Sequence, residues 1–162
     1  MPPPIDENAP IVPGEGLGGL RLRVPVRDYE ELILSSYVKE LPNRSWYGLS
    51  YPFEARYRLG PVEVGVDVRS GSVHRLTAFD GYKGWLFGAV RVGMVTRDAM
   101  QLDGRIYYDE AEELLLVRGV PGVSLDVPTV DPPVVDVPNL PIWAISVYAE
   151  EIVLEPRGVD QG

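Results

Sequence analysis

Val62-Glu63-Val64-Gly65-Val66-Asp67-Val68 places a valine at every second position, with a glycine or a carboxylate between each pair. A period of two sends the four valines to one face and the polar residues to the other, the pattern of a half-buried strand. Ser70-Gly71 supplies a tight turn, and Val73–Phe79 returns with Val73, Arg75, Thr77 and Phe79 on one face and His74, Leu76 and Ala78 on the other. Upstream, Phe53–Leu59 alternates in the same way and runs into the turn Gly60-Pro61. Three alternating runs joined by short turns predict an antiparallel meander with one face toward a core and one toward water.

Working outward, Gly14, Gly16, Gly18 and Gly19 lead into a first strand over Leu20–Val24. From Arg27 to Val38, Tyr29, Leu32, Ile33, Ser36 and Tyr37 recur at three- and four-residue steps, which predicts a helix ended by Pro42. After the meander, Gly88–Val92 reads as a strand, Gly93-Met94 as a turn, and Thr96–Leu102 as a short helix capped by Thr96. Arg105–Tyr108 and Leu114–Arg118 read as strands around the acidic turn Asp109-Glu110-Ala111-Glu112-Glu113, with another strand at Val123–Val127. A proline-rich loop spans Pro128–Pro141, and Ile142–Leu154 reads as a long closing strand or bent strand pair. The expected class is α+β: a mostly antiparallel sheet of roughly eight to ten strands, with two helices covering one face or end.

Gly18-Gly19-Leu20-Arg21-Leu22-Arg23-Val24-Pro25-Val26-Arg27-Asp28 aligns without a gap on Gly88-Ala89-Val90-Arg91-Val92-Gly93-Met94-Val95-Thr96-Arg97-Asp98. Gly, Arg, Arg and Asp coincide at the first, fourth, tenth and eleventh places. The chain therefore reads as two pseudo-repeats of strand, helix and meander, residues 16–80 and 81–155, forming one domain over 16–155. Residues 1–15, with prolines at 2, 3, 4, 10 and 13, are expected to be an extended mobile arm, and 156–162 a tail.

Composition narrows the chemistry. At 45% hydrophobic residues, 162 residues can bury a real core. No cysteine is present, which excludes a disulfide framework and thiolate chemistry and suits a reducing cytoplasm. The first residues show neither a basic segment nor an apolar run, so no signal peptide is expected, and no apolar stretch is long enough to span a bilayer. The net charge of −9 is uneven, with 6 basic against 13 acidic residues over 81–162. That sign repels phosphate backbones and anionic lipid, so neither nucleic acid nor membrane is expected as a partner; a basic protein is.

Catalytic signatures are absent. His74 is the single histidine, no G-x-S-x-G elbow or phosphate-binding glycine loop occurs, and no cofactor or metal is expected. Asp126, Asp131 and Asp136 lie five residues apart in a proline-stiffened run, roughly 16 Å per interval when extended and too far apart for one ion. The aromatic residues are the stronger signal. Trp46, Tyr47 and Tyr51 lie in an irregular link, while Tyr82, Trp85 and Phe87 surround Lys83 between the halves. Such residues either plug the ends of a core or anchor a partner. The expected binding surface joins Trp46, Tyr47, Tyr82, Lys83 and Trp85 to the acids Asp109, Glu110, Glu112 and Glu113.

The run Asp80-Gly81-Tyr82-Lys83-Gly84-Trp85-Leu86-Phe87-Gly88-Ala89-Val90-Arg91-Val92-Gly93-Met94, followed by Tyr107-Tyr108-Asp109-Glu110-Ala111-Glu112 and Gly119-Val120-Pro121-Gly122-Val123, resembles a group of small acidic bacterial proteins. Some of these are similar to immunity proteins of polymorphic toxin systems. The resemblance spans roughly residues 16–154, rests on turn and strand patterns, and implies a protein that blocks a cognate toxin by binding it. Together with the acidic charge and the aromatic residues, it leads to the expectation of a non-enzymatic binding protein that occludes a basic toxin. An assembly component of a phage or multi-protein apparatus is the alternative expectation.

Overall fold

In the computed structural model, residues 5–40, 47–50, 54–128 and 132–152 are described. The valine run forms β5 (Val62–Asp67), flanked by β4 (Glu54–Leu59) and β6 (Ser72–Ala78), with β3 (Tyr47–Ser50) completing a first meander. A second meander contains β7 (Ile106–Asp109), β8 (Leu114–Val117), β9 (Val123–Asp126) and β10 (Ala144–Tyr148). The two join where β6 pairs antiparallel with β10, giving one eight-stranded sheet in the order β3-β4-β5-β6-β10-β9-β8-β7. The register sets Thr77 opposite Ser146 and Leu76 opposite Val147.

One face of this sheet is the core. Leu59, Val62, Val64, Val66, Leu76, Leu115, Val117, Val123, Leu125, Ile145 and Val147 are buried there. A two-stranded hairpin, β1 (Gly16–Leu17) and β2 (Leu20–Arg21), packs over the middle, with β1 against β6 and β10. Helix α1 (Glu30–Glu40) packs on β4, and α2 (Thr96–Leu102) beside β7. The structure is thus an antiparallel sheet with few helices, consistent with the α+β class.

Several boundaries differ from the sequence reading, for physical reasons. The expected facing of Val73 with Arg75 fails because β6 carries a bulge. Gly65 pairs with Arg75 and Val66 with Val73, so His74 is an extra residue without a partner across the ladder. The bulge returns Val73 to the core beside Leu76 and Ala78, leaving Arg75 and Thr77 on the polar face. Gly88–Val92 is not a strand: Leu86 and Val90 form a single bridge around a tight turn. The helix Arg27–Val38 begins as a 3-10 turn over Val26–Tyr29 before α1. Thr96 is the first residue of α2, not its cap; Val95 precedes it with no side-chain cap bond, and Thr96 is fully buried. The loop after Pro128 contains a 3-10 turn over Val134–Asn139, and the closing strand stops at Tyr148 before a helical turn at Glu150–Ile152. Pro42, Phe53 and the tail 156–162 lie outside the described residues.

The expected mobile arm is also corrected from residue 5 onward. Ile11 is buried in the core and its N–H bonds to the Trp85 carbonyl. The N–H groups of Lys83 and Gly84 both donate to the Glu7 carbonyl. Tyr82 locks this docking, since its hydroxyl accepts from the Gly18 N–H at 2.7 Å and donates to the Ala9 carbonyl at 2.7 Å. Two sequence-distant segments are thereby tied to one buried phenol. Tyr82→Phe leaves the buried Gly18 N–H without its partner, and urea unfolding is expected to show a loss of about 1–3 kcal/mol.

Candidate functional site

The polar face of the sheet is built by the same alternation that builds the core. Glu54, Arg56 and Arg58 on β4 lie beside Glu63, Gly65 and Asp67 on β5, next to Arg75 and Thr77 on β6. Gly65 has no side chain to fill its place, and the Glu54 carboxylate occupies it: a Cβ there would lie 2.7 Å from Glu54 Oε2. The bulge brings His74 to the same point. His74 Nε2 lies 2.6 Å from Glu54 Oε2, Arg56 Nε donates to Glu54 Oε1 at 3.0 Å, and Arg75 Nε approaches Oε2 at 3.3 Å as an ion pair without hydrogen-bond geometry.

Glu54 is fully buried. Burial pushes its carboxyl upward, but the His74 hydrogen bond and the charges of Arg75, His74 and Arg56 outweigh it and hold the pKa at about 2. Two neighbours go the other way: burial raises Glu63 against the pull of Arg56 and Arg58, and raises Asp126 against that of Arg75. The hydroxyls of Thr77 and Ser146 bond to each other at 2.8 Å at the centre of this face. As a catalytic pair Glu54 and His74 lack access, being 0% and 3% exposed. Their geometry suits a buried ion lock that fixes the bulge. Among the described residues no group of three His, Cys, Asp or Glu could hold a metal, and no helix is long and apolar enough to cross a membrane.

The accessible chemistry lies among aromatic residues stacked with arginines. Trp85 is 41% exposed, with the Arg91 guanidinium 4.8 Å from its ring centroid. Phe87 is 38% exposed under Arg105 at 4.6 Å, and Tyr107 on β7 lies under Arg118 at 4.4 Å. These pairs form one strip, because Trp85 and Phe87 flank the buried Leu86 and the Arg118 N–H donates to the Arg105 carbonyl. A second cluster sits at the Phe79 end of β6, where Phe79 meets Trp143 edge-on at 5.6 Å and Arg58 stacks on Phe79 at 4.1 Å.

Of the residues expected to form one surface, Tyr82 does not reach it. Tyr82 is 3% exposed and acts inside the core, so it offers no anchor. Lys83 and Trp85 are exposed beside it. Asp109, Glu110, Glu112 and Glu113 form the β7–β8 turn, where Asp109 Oδ1 accepts the Glu112 N–H at 3.0 Å. Tyr47 is the first residue of the edge strand β3, and Trp46 and Tyr51 lie outside the described residues, as does Asp131. The ion lock and the Trp143 cluster were missed. The mid-strand Gly65 among valines was the signal for a bulge or close approach; nothing in the sequence marked Glu54 as its occupant.

No family model matches the chain, and no curated protein matches it. A search of solved structures finds similarity to the crystal structure of the uncharacterized protein yfeY from Escherichia coli. The TM-score is 0.54 at 13% identity, covering 85% of this chain and 98% of that one. At that identity the likeness speaks for the fold alone.

The ion lock has a pH signature. A depressed carboxyl stabilises the fold above its ordinary value near 4.5, and that stabilisation is lost as pH falls through the folded-state value of about 2. The shift corresponds to on the order of 3 kcal/mol. Urea unfolding of wild type against Glu54→Gln is expected to show that gap at pH 7 and its progressive closure below pH ~4.5. The raised Glu63 and Asp126 carry the opposite sign, and they largely cancel because both proteins contain them.

Proposed function

We propose that the protein is a non-enzymatic, protein-binding module, cytoplasmic in setting, that engages its partner through exposed aromatic anchors. The single observation carrying this reading is the strip of Trp85, Phe87 and Tyr107, each stacked by an arginine on an ordered turn or strand. Trp, Tyr and Arg are the residues that dominate interface energetics, and pre-ordered side chains lose less entropy on docking. The most buried polar group cluster, by contrast, is closed to substrate. Occlusion of a toxin, as in the immunity proteins that the sequence resembles, is the specific form proposed; a basic toxin surface would meet the acidic β7–β8 turn.

The module is further proposed to be a duplication. The strand order reads as two meanders mirrored about the β6/β10 pair. The aligned segments also make matching bonds. Arg23 donates to the Val73 carbonyl, and the Val73 N–H to Val24; Gly93 donates to Ile142, and Ile142 to Met94. Likewise the Val26 N–H donates to Gly71 and the Thr96 N–H to Leu140. These pairings support halves meeting near residue 80.

An assembly role is the second reading, favoured by an open sheet whose end strands β3 and β7 each pair on one side only among the described residues. Affinity capture from lysate with wild type and with Trp85→Ala/Phe87→Ala separates them. The binding module loses its stoichiometric partner in the double variant; equal recovery by both proteins, or recovery of further copies of the bait alone, goes against it.

A further inference from the structure

The turn carrying Phe87 holds more strain than its backbone requires. Phe87 and Gly88 have φ of 56° and 67°, and the Ala89 N–H donates to the Leu86 carbonyl, the arrangement of a type I′ turn. A bulky residue at positive φ is costly, and glycine or asparagine fits without that cost. The β1–β2 hairpin shows the unstrained solution: its two left-handed positions are Gly18 and Gly19. At the turn after Leu86 a half-exposed phenylalanine takes the first of these positions, with no place in the core. Strain retained for a solvent-facing aromatic points to a contact outside the chain.

The arginines define what that contact carries. Arg105 is neutralised by a two-pronged pairing with Asp103, at 3.0 and 2.7 Å. Arg91 and Arg118 have no acceptor for their guanidinium groups among the described residues, although each is already positioned on a ring. Stacking leaves the in-plane N–H fork free, and that fork matches a carboxylate. The same stacking covers one face of each ring, so the strip is poorly suited to intercalating bases, and the molecule's charge of −9 repels a polyanion at long range. Across a Debye length of about 8 Å that repulsion fades, leaving the local guanidiniums to act at contact. Asp80 and Asp98 share the shallow cavity of about 390 Å³ with Lys83 and Arg91, which makes the region mixed in charge and favours discrete carboxylates over a dense phosphate array.

Building on the binding-module reading, we infer that the strip of Trp85, Phe87 and Tyr107 with Arg91, Arg105 and Arg118 docks a protein segment that presents apolar side chains between carboxylates. The acidic segment meets this strip, while a basic surface of the same partner would meet the β7–β8 turn at the other end of the hairpin.

Fluorescence anisotropy with a labelled Glu/Leu peptide, its Lys/Leu counterpart and a labelled oligothymidylate tests the inference on the full chain. The Glu/Leu peptide is expected to bind, to weaken roughly tenfold or more in Arg91→Gln/Arg118→Gln, and to outbind both other probes. Phe87→Asn is expected to keep or raise the urea midpoint while weakening the same peptide, which separates a strained contact residue from a structural one. Failure of the Glu/Leu peptide to bind, indifference to Arg91→Gln/Arg118→Gln, or tighter binding of either other probe overturns the acidic-segment assignment. If lysate capture still depends on Trp85 and Phe87 in that event, the binding-module reading stands without it; if capture is also indifferent, both fall.

Discussion

The antiparallel pairing of β6 with β10 is the contact on which the rest of the molecule depends. It is made between residues about seventy positions apart (Thr77 against Ser146, Leu76 against Val147) and turns two local meanders into a single eight-stranded sheet. On one side the pair buries Leu76, Ala78, Ile145 and Val147. On the other it holds the Thr77–Ser146 hydroxyl bond. Without it, each four-stranded unit would expose an apolar edge strand, an arrangement prone to non-specific pairing. The β1–β2 hairpin packs over this junction through β1, so a long-range pairing also fixes where the amino-terminal segment sits.

The two faces of the sheet settle their energetics differently. The inner face gains by removing valine, leucine and isoleucine side chains from water, a non-directional effect that alternation alone arranges. The polar face holds a fully buried carboxylate, which is stable only because specific donors surround it. Glu54 has His74, Arg56 and Arg75 within reach, and their combined effect exceeds the desolvation penalty. The space for that carboxylate comes from a missing side chain at Gly65, and the histidine comes from an extra residue in the neighbouring strand. A backbone irregularity and a charge cluster therefore require each other.

Partner recognition, as proposed, uses the periphery rather than the sheet centre. Trp85 and Phe87 belong to the connection leaving β6, and Tyr107 to the edge strand β7, where side chains can project without disturbing the ladder. The acids of the β7–β8 turn occupy the other end of the same hairpin from Arg105 and Arg118. One hairpin thus carries both signs of charge at separate ends, a division that the net charge of the chain conceals.

The sequence by itself determined the local elements whose signals are complete within a few residues. The alternation over Val62–Asp67, the turn at Ser70-Gly71 and the boundaries of Thr96–Leu102 reappear, because side-chain periodicity and turn chemistry are properties of neighbouring residues; Val68, the last valine of the run, falls instead in the turn and is exposed. Tertiary structure decided everything that depends on residues far apart. Val73 changed face because a bulge against Gly65 shifted the register; Tyr82 became a core tie because Gly18 and Ala9 reach its hydroxyl; residues 5–15 became ordered because Ile11 found a place beside Leu86. Tyr82 left the expected binding surface for the same reason. Proximity between distant residues is set by strand order and packing, and neither composition nor periodicity encodes which distant partner a side chain meets.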